Sequence, residues 1–170
     1  PKMALRLGLQ DPTCDLNMGQ TAELLAREFD LSREDQDRFA LRSHRRAVAA
    51  GKRLGEEIAP TYAKDAKSRF QAVESDVGPR EKQSEQALGR LRPVFEKGGS
   101  VTAGNASQVT DGAVAILLAT EAACDRHGLE PLGRVLGHCY AGCEPERMGL
   151  GPAHAIAKAK REFGFDPEDA

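Results

Sequence analysis

The chain has 170 residues, 40% of them hydrophobic, enough apolar material for a sizeable core if folded as one domain. A formal charge of −2 and an aromatic content of 5% supply neither the basic field nor the stacking platforms that nucleic-acid binding relies on. No uninterrupted apolar run approaches the length of a membrane span and the first residues lack a secretory hydrophobic core, so the expected setting is cytoplasmic.

Met18, Ala22, Leu25 and Phe29 recur at helical spacing and predict a first helix with this stripe as its packing surface. Ser32 followed by Asp35 is a helix-start signal, and the second helix carries Phe39, Leu41, Ala47 and Val48 up to Ala50, with Gly51 as its stop. Residues 58–63 suit a short extended segment that Pro60 confines to an edge, and residues 64–80 are polar enough for a solvated excursion. Ser84 opens a third predicted helix containing Ala87, Leu88 and Leu91, which Pro93 ends.

The stretch Val101-Thr102-Ala103-Gly104-Asn105-Ala106-Ser107-Gln108-Val109-Thr110-Asp111-Gly112-Ala113 then places small, polar and turn-permitting residues between two apolar segments. Two readings of it stand: a ligand-binding loop, or a surface connection whose polar side chains satisfy their own turns. Residues 113–119 have the length of a buried strand, although their alanines and leucines also permit a helix. Thr120 begins a helix through Arg126 that Gly128 ends, and residues 134–140 are a further strand candidate. Pro152 suits the first turn of a last helix, with Ala153, Ile156, Ala157 and Phe163 as its inward-facing residues before Gly164. The succession of elements predicts an α/β fold.

The residues most often used for chemistry form no recognisable ligand set. Cys14, Cys124, Cys139 and Cys143 lack paired CxxC spacing and are expected to be reduced, with Cys139 and Cys143 a strand-end pair of small packing residues. His44, His127, His138 and His154 show no metal-ligand spacing and are read as surface or packing residues, so no metal residue is assigned.

The 101–113 stretch resembles the thiolase family, whose members carry a near-identical Thr-Ala-Gly-Asn-Ala-Ser segment followed by a short polar pair and Gly-Ala. Further phrases occur in the family's order: Asn17-Met18-Gly19-Gln20-Thr21-Ala22-Glu23, Leu31-Ser32-Arg33-Glu34-Asp35-Gln36-Asp37, Leu91-Arg92-Pro93-Val94-Phe95 and Met148-Gly149-Leu150-Gly151-Pro152. Together they span nearly the whole chain. The resemblance implies an incomplete thiolase-like fold, a mainly helical loop region followed by strand-helix elements of two related α/β halves. Residues 1–107 then correspond to the loop region, 108–128 to the end of the N-terminal half and 129–170 to the start of the C-terminal half. It also favours a strand at 113–119.

What the resemblance implies about function is an acyltransferase that cleaves 3-ketoacyl-CoA with coenzyme A or runs the reverse Claisen condensation. Its ligands would be acyl-CoA and coenzyme A, the latter a substrate, with no tightly bound cofactor and no metal, in a homo-oligomeric parent. None of the family's cysteine and histidine catalytic motifs is present, so no catalytic residue is assigned and the chain alone is expected to be inactive. Binding residues carry over by motif. Ser107 would contact the pantetheine amide region, Ala103 would leave room for that arm, and Arg80 would meet phosphate or stack on adenine at the nucleotide end. Leu9, Met18, Phe95 and Met148 would line the substrate channel or acyl pocket, unless they are plain core. Asn17 and Gln108 depart from the histidine of many short-chain members and from a common glycine, which leans toward a broader 3-ketoacyl-CoA thiolase. The alternative is a truncated, non-catalytic thiolase-like module that binds acyl-CoA or a partner.

Overall fold

A computed structural model describes residues 9–64, 67–164 and 166, which fall into two compact units, one ending at Gln108 and the other beginning at Val109. The parts of the 1–107 and 129–170 assignments and of the 64–80 excursion that fall on residues 1–8, 65–66, 165 and 167–170 lie outside the described residues. No helix among the described residues is long and apolar enough to cross a membrane.

In the first unit, helix α1 (Met18–Glu28) starts with a reciprocal cap: the Asn17 side chain accepts from the Gln20 N–H, and the Gln20 side chain accepts from the Asn17 N–H, both at 3.0 Å. Its buried face is Thr21, Glu23 and Ala26. The predicted apolar stripe does not set the packing, since Met18, Ala22 and Phe29 are exposed and Leu25 is half-buried. Hydrogen bonds to Glu23 fix which side of the helix faces inward, and they override the hydropathy pattern.

Helix α2 (Arg33–Gly55) begins as expected, with the Ser32 hydroxyl accepting from the Asp35 N–H at 3.1 Å. Gly51 does not stop it. An interior glycine costs only about 1 kcal/mol against alanine, while Lys52 and Arg53 in the last turn suit the negative end of the helix dipole. Asp37 and Leu41 are its buried residues, and the exposed Phe39 ring has the Arg42 guanidinium 4.9 Å from its centroid.

An antiparallel hairpin follows, β1 (Thr61–Lys64) with β2 (Phe70–Val73), in which Thr61 faces Val73 and Lys64 faces Phe70. The expected extended segment therefore begins after Pro60, and the solvated excursion contains a second strand. Helix α3 (Glu85–Gly89) is capped by Ser84, as predicted, but ends before Leu91 and Pro93. Leu88 is fully buried, and with Leu91 it closes over Gly104, where a Cβ would stand 2.5–2.6 Å from their methyl carbons. Beyond it the chain doubles back, with the Val94 N–H donating to the Val101 carbonyl at 3.0 Å and a bridge between Pro93 and Thr102.

In the second unit, α4 (Glu121–His127) is capped by Thr120 and stopped by Gly128 at φ 62°. A 3-10 turn (Pro145–Leu150) leads into α5 (Gly151–Phe163), which has Pro152 in its first turn and ends on Gly164 at φ 66°. Neither 113–119 nor 134–140 forms a strand, and Val114, Ile116, Leu117 and Leu118 are each more than three-quarters exposed. A strand needs a neighbour's N–H and C=O groups, and no described element supplies a ladder here.

Residues 137–140 instead lie along α5. The Phe163 ring covers Gly137, the Cys139 thiol is 3.2 Å from the Ala155 carbonyl, and Lys158 Nζ donates to the Tyr140 carbonyl at 3.0 Å. The half-buried residues of α5 thus include Ala155 and Lys158, whereas the predicted Ala153, Ile156, Ala157 and Phe163 are exposed. All four cysteines are free and half-buried.

Because Leu88 is, among the described residues, the largest apolar side chain with no exposure, Leu88→Ala is expected to cost about 2–5 kcal/mol, read as a lower urea midpoint at unchanged slope.

Candidate functional site

Two buried carboxylates, one on α1 and one on α2, hold the segment from Ser100 to Asn105. Glu23, 2% exposed, accepts from the Ser100 N–H and hydroxyl at 2.9 Å and from the Val101 N–H at 2.8 Å. Gly99 has no side chain where that carboxylate lies. Asp37, 5% exposed, accepts from Arg33 Nε at 2.8 Å and from the Asn105 side-chain amide at 3.0 Å. The same amide donates to the Ser100 carbonyl at 3.0 Å, while Asn105 Oδ1 accepts from the Thr102 N–H at 2.7 Å. Thr102, fully buried, accepts from the Gly104 N–H through Oγ1 at 3.1 Å and from the Ala106 N–H through its carbonyl, also at 3.1 Å. Arg33 spans the network by donating to the Leu88 and Leu91 carbonyls at 2.8 and 3.1 Å.

This is a loop made rigid by charge-assisted hydrogen bonds in a buried setting. Of the two sequence-level readings of the 101–113 stretch, self-satisfied turns describe Thr102 to Ala106. The chain from Ala103 onward nevertheless keeps an exposed side, with Ala103, Ala106, Ser107 and Gln108 all open to solvent. Burial pushes the Glu23 carboxyl up, but the Ser100 and Val101 N–H groups, the Ser100 hydroxyl and the Arg27 charge outweigh it, holding its pKa below the usual 4.5.

The residues singled out in the sequence fall into three places. Leu9 and Met18, both exposed, flank the antiparallel bridge between Gln10 and Asn17. The Phe95 ring covers Gly19, so Leu9, Met18 and Phe95 gather around the start of α1. Arg80 and Ser107 are brought together less directly: the Gln108 side-chain amide lies on Gly78, two residues before Arg80. Ala103 and Ser107 stand on the pinned loop. Met148 belongs to the second unit, in the 3-10 turn. Asn17 spends its side chain on the helix cap.

Sequence reasoning missed the frame itself: Glu23, Asp37, Arg33 and Asn105. The trace of it was present, since the first two quoted phrases end on Glu23 and Asp37, but nothing in a helical acidic residue distinguishes a buried hydrogen-bond hub from a solvated charge. A shallow groove of about 460 Å³ opens beside Glu23, between Ala26, Leu31, Gly98 and Gly99, and the Arg27–Glu96 ion pair lies on its wall. None of the binding residues expected from the sequence lines it. Among the described residues no group of His, Cys, Asp and Glu is placed to hold a metal ion.

Comparison with known proteins adds the following. The family pattern described as "Thiolase, N-terminal domain" matches residues 1–122. An acetyl-CoA acetyltransferase from Chromobacterium violaceum is 42% identical over 95% of this chain and 42% of its own length. The mitochondrial 3-ketoacyl-CoA thiolase of Rattus norvegicus is 43% identical over 95% of this chain and 41% of its own length. Among solved structures, human mitochondrial 3-ketoacyl-CoA thiolase superimposes with a TM-score of 0.87 at 40% identity, covering 98% of this chain and 42% of that one. The same human enzyme in complex with CoA gives 0.84 at 40% identity, over 96% of this chain and 40% of that one. The chain spans about two fifths of the length of the curated relatives it matches.

Glu23 generates a pH prediction. Its folded pKa lies below the unfolded value of 4.5, so its stabilisation is complete above that value and is lost as pH falls through the folded pKa. Glu23→Gln, which keeps the shape but loses the charge, is expected to cost about 1.5–3 kcal/mol at neutral pH. Urea midpoints measured across the acid range should converge with those of the wild type below the folded pKa.

Proposed function

We propose, from the premise that this chain belongs to the thiolase family, that it forms the coenzyme A side of an acyl-transfer site. The reaction is thiolysis of a 3-ketoacyl-CoA or the reverse condensation. One observation carries the reading: the loop pinned by Glu23 and Asp37 holds Ala103 on an exposed edge, and Ser107 is exposed directly after the last anchored residue, Ala106. A ligand arm approaching that edge meets small residues and a fixed backbone, so little ordering remains to be done when it binds.

In this reading the Ser107 hydroxyl hydrogen-bonds the pantetheine amide region, and Ala103 leaves that arm room. The Arg80 guanidinium faces the phosphates or stacks on the adenine. Leu9, Met18 and Phe95, gathered at the start of α1, supply apolar contact to the acyl or pantetheine part. Asn17, which stands where many short-chain members have a histidine and here caps α1, favours a substrate broader than acetoacetyl-CoA in this reading. The human relative described in complex with CoA supports the choice of ligand.

The organisation proposed is a loop region over 1–107, the end of one α/β half over 108–128 and the start of another over 129–170. Attack of a cysteine on the 3-keto carbon falls to residues outside this sequence, so these 170 residues are proposed to bind without turning over. Cytoplasmic placement and a homo-oligomeric parent belong to the same proposal.

Calorimetric titration with coenzyme A tests it. Arg80→Ala is expected to weaken binding about tenfold, and Ser107→Ala about three- to tenfold, given the worth of charge-assisted and neutral hydrogen bonds. Unchanged affinity in both variants would sink the assignment.

A further inference from the structure

Arg80 is an exposed residue in a region whose neighbouring hairpin is itself exposed, yet its backbone is tied down on both sides. Its N–H donates to His44 Nδ1 at 3.2 Å, a contact spanning 36 positions of sequence, and its carbonyl accepts from the Gln83 N–H at 3.3 Å. Two residues earlier, the exposed Gln108 side-chain amide lies against Gly78. The turn carrying Arg80 is therefore held against α2 by His44, with the Gln108 side chain packed beside it. Neither residue has a role in the function proposed above.

We infer that His44 and Gln108 are positioning residues for the nucleotide end of coenzyme A, acting through Arg80; this rests on the reading of Arg80 as a coenzyme contact. An arginine side chain loses rotamer freedom on binding, and a mobile backbone beneath it would add to the ordering cost of each contact with a phosphate or adenine. Fixing the Arg80 backbone removes that second part before the ligand arrives. Nδ1 of His44 is the acceptor in this contact. Gln108, which stands where a glycine is common among the proteins this sequence resembles, places against Gly78 an amide that a glycine lacks.

The test titrates coenzyme A, and separately pantetheine, which lacks the nucleotide, into the protein expressed from its own reading frame. His44→Ala and Gln108→Ala are each expected to weaken coenzyme A about three- to tenfold while leaving pantetheine unchanged. His44→Asn, whose Oδ1 can accept where Nδ1 did, is expected to restore most of the loss. In an Arg80→Ala background neither substitution should add anything, because both act through that side chain. Equal weakening of both ligands, additivity with Arg80→Ala, or full coenzyme A affinity in both single variants overturns the inference and leaves the Arg80 assignment standing. Unchanged affinity in Arg80→Ala removes the assignment and the inference together. Should His44→Ala fail to fold, His44→Asn and Gln108→Ala carry the same comparison.

Discussion

The carboxylate of Glu23 decides the position of the chain from Gly99 to Val101, and most of the first unit depends on that decision. A buried ionised group needs its lone pairs filled, and here two backbone N–H groups and a hydroxyl fill them. Once Ser100 and Val101 are held, Thr102 and Asn105 have few positions left, and Asn105 reaches Asp37 on the second helix. The result joins α1, α2 and the loop through polar contacts in a unit whose buried apolar residues, among those described, are few: Ala26, Leu41, Leu88 and Val101. Apolar burial contributes locally, chiefly where Leu88 and Leu91 cover Gly104. Orientation comes from the acids.

That division of labour explains what the sequence could and could not disclose. Ser32, Ser84, Thr120, Gly128 and Gly164 were legible because a cap is settled by residues within one turn. Gly51 misled because a helix of 23 residues tolerates one poor former when its ends are well matched to the dipole. The Met18–Phe29 stripe misled for another reason: period-matching weighs hydropathy and is blind to a buried carboxylate one step around the helix. Residues 113–119 and 134–140 read as strands because they are apolar and of strand length, yet strand identity is decided by a neighbour that a local pattern does not contain.

The site shows the same split. Short phrases pointed to Ser107, Ala103, Met18 and Phe95, and the geometry brings Leu9, Met18 and Phe95 to one end of α1. What the phrases did not reveal is that their acidic ends, Glu23 and Asp37, are the supports of the loop beside which Ser107 stands. Nor does any local pattern announce His44 or Gln108, because each meets the Arg80 turn across at least 30 positions of sequence. Contacts of that range come from the fold, and they are where a reading by composition and spacing ends.

Asn17 joins two properties that are usually free to vary separately. Its amide begins α1 by holding Gln20, and Met18, proposed to contact the acyl or pantetheine part, directly follows it. A change of side chain at 17 made in pursuit of a different acyl length would also remove a helix cap worth about 1 kcal/mol, at the base of the helix that carries Glu23. On the proposed reading, a substitution at 17 that altered acyl preference would also bear on the start of α1, and one that cannot cap would lower stability.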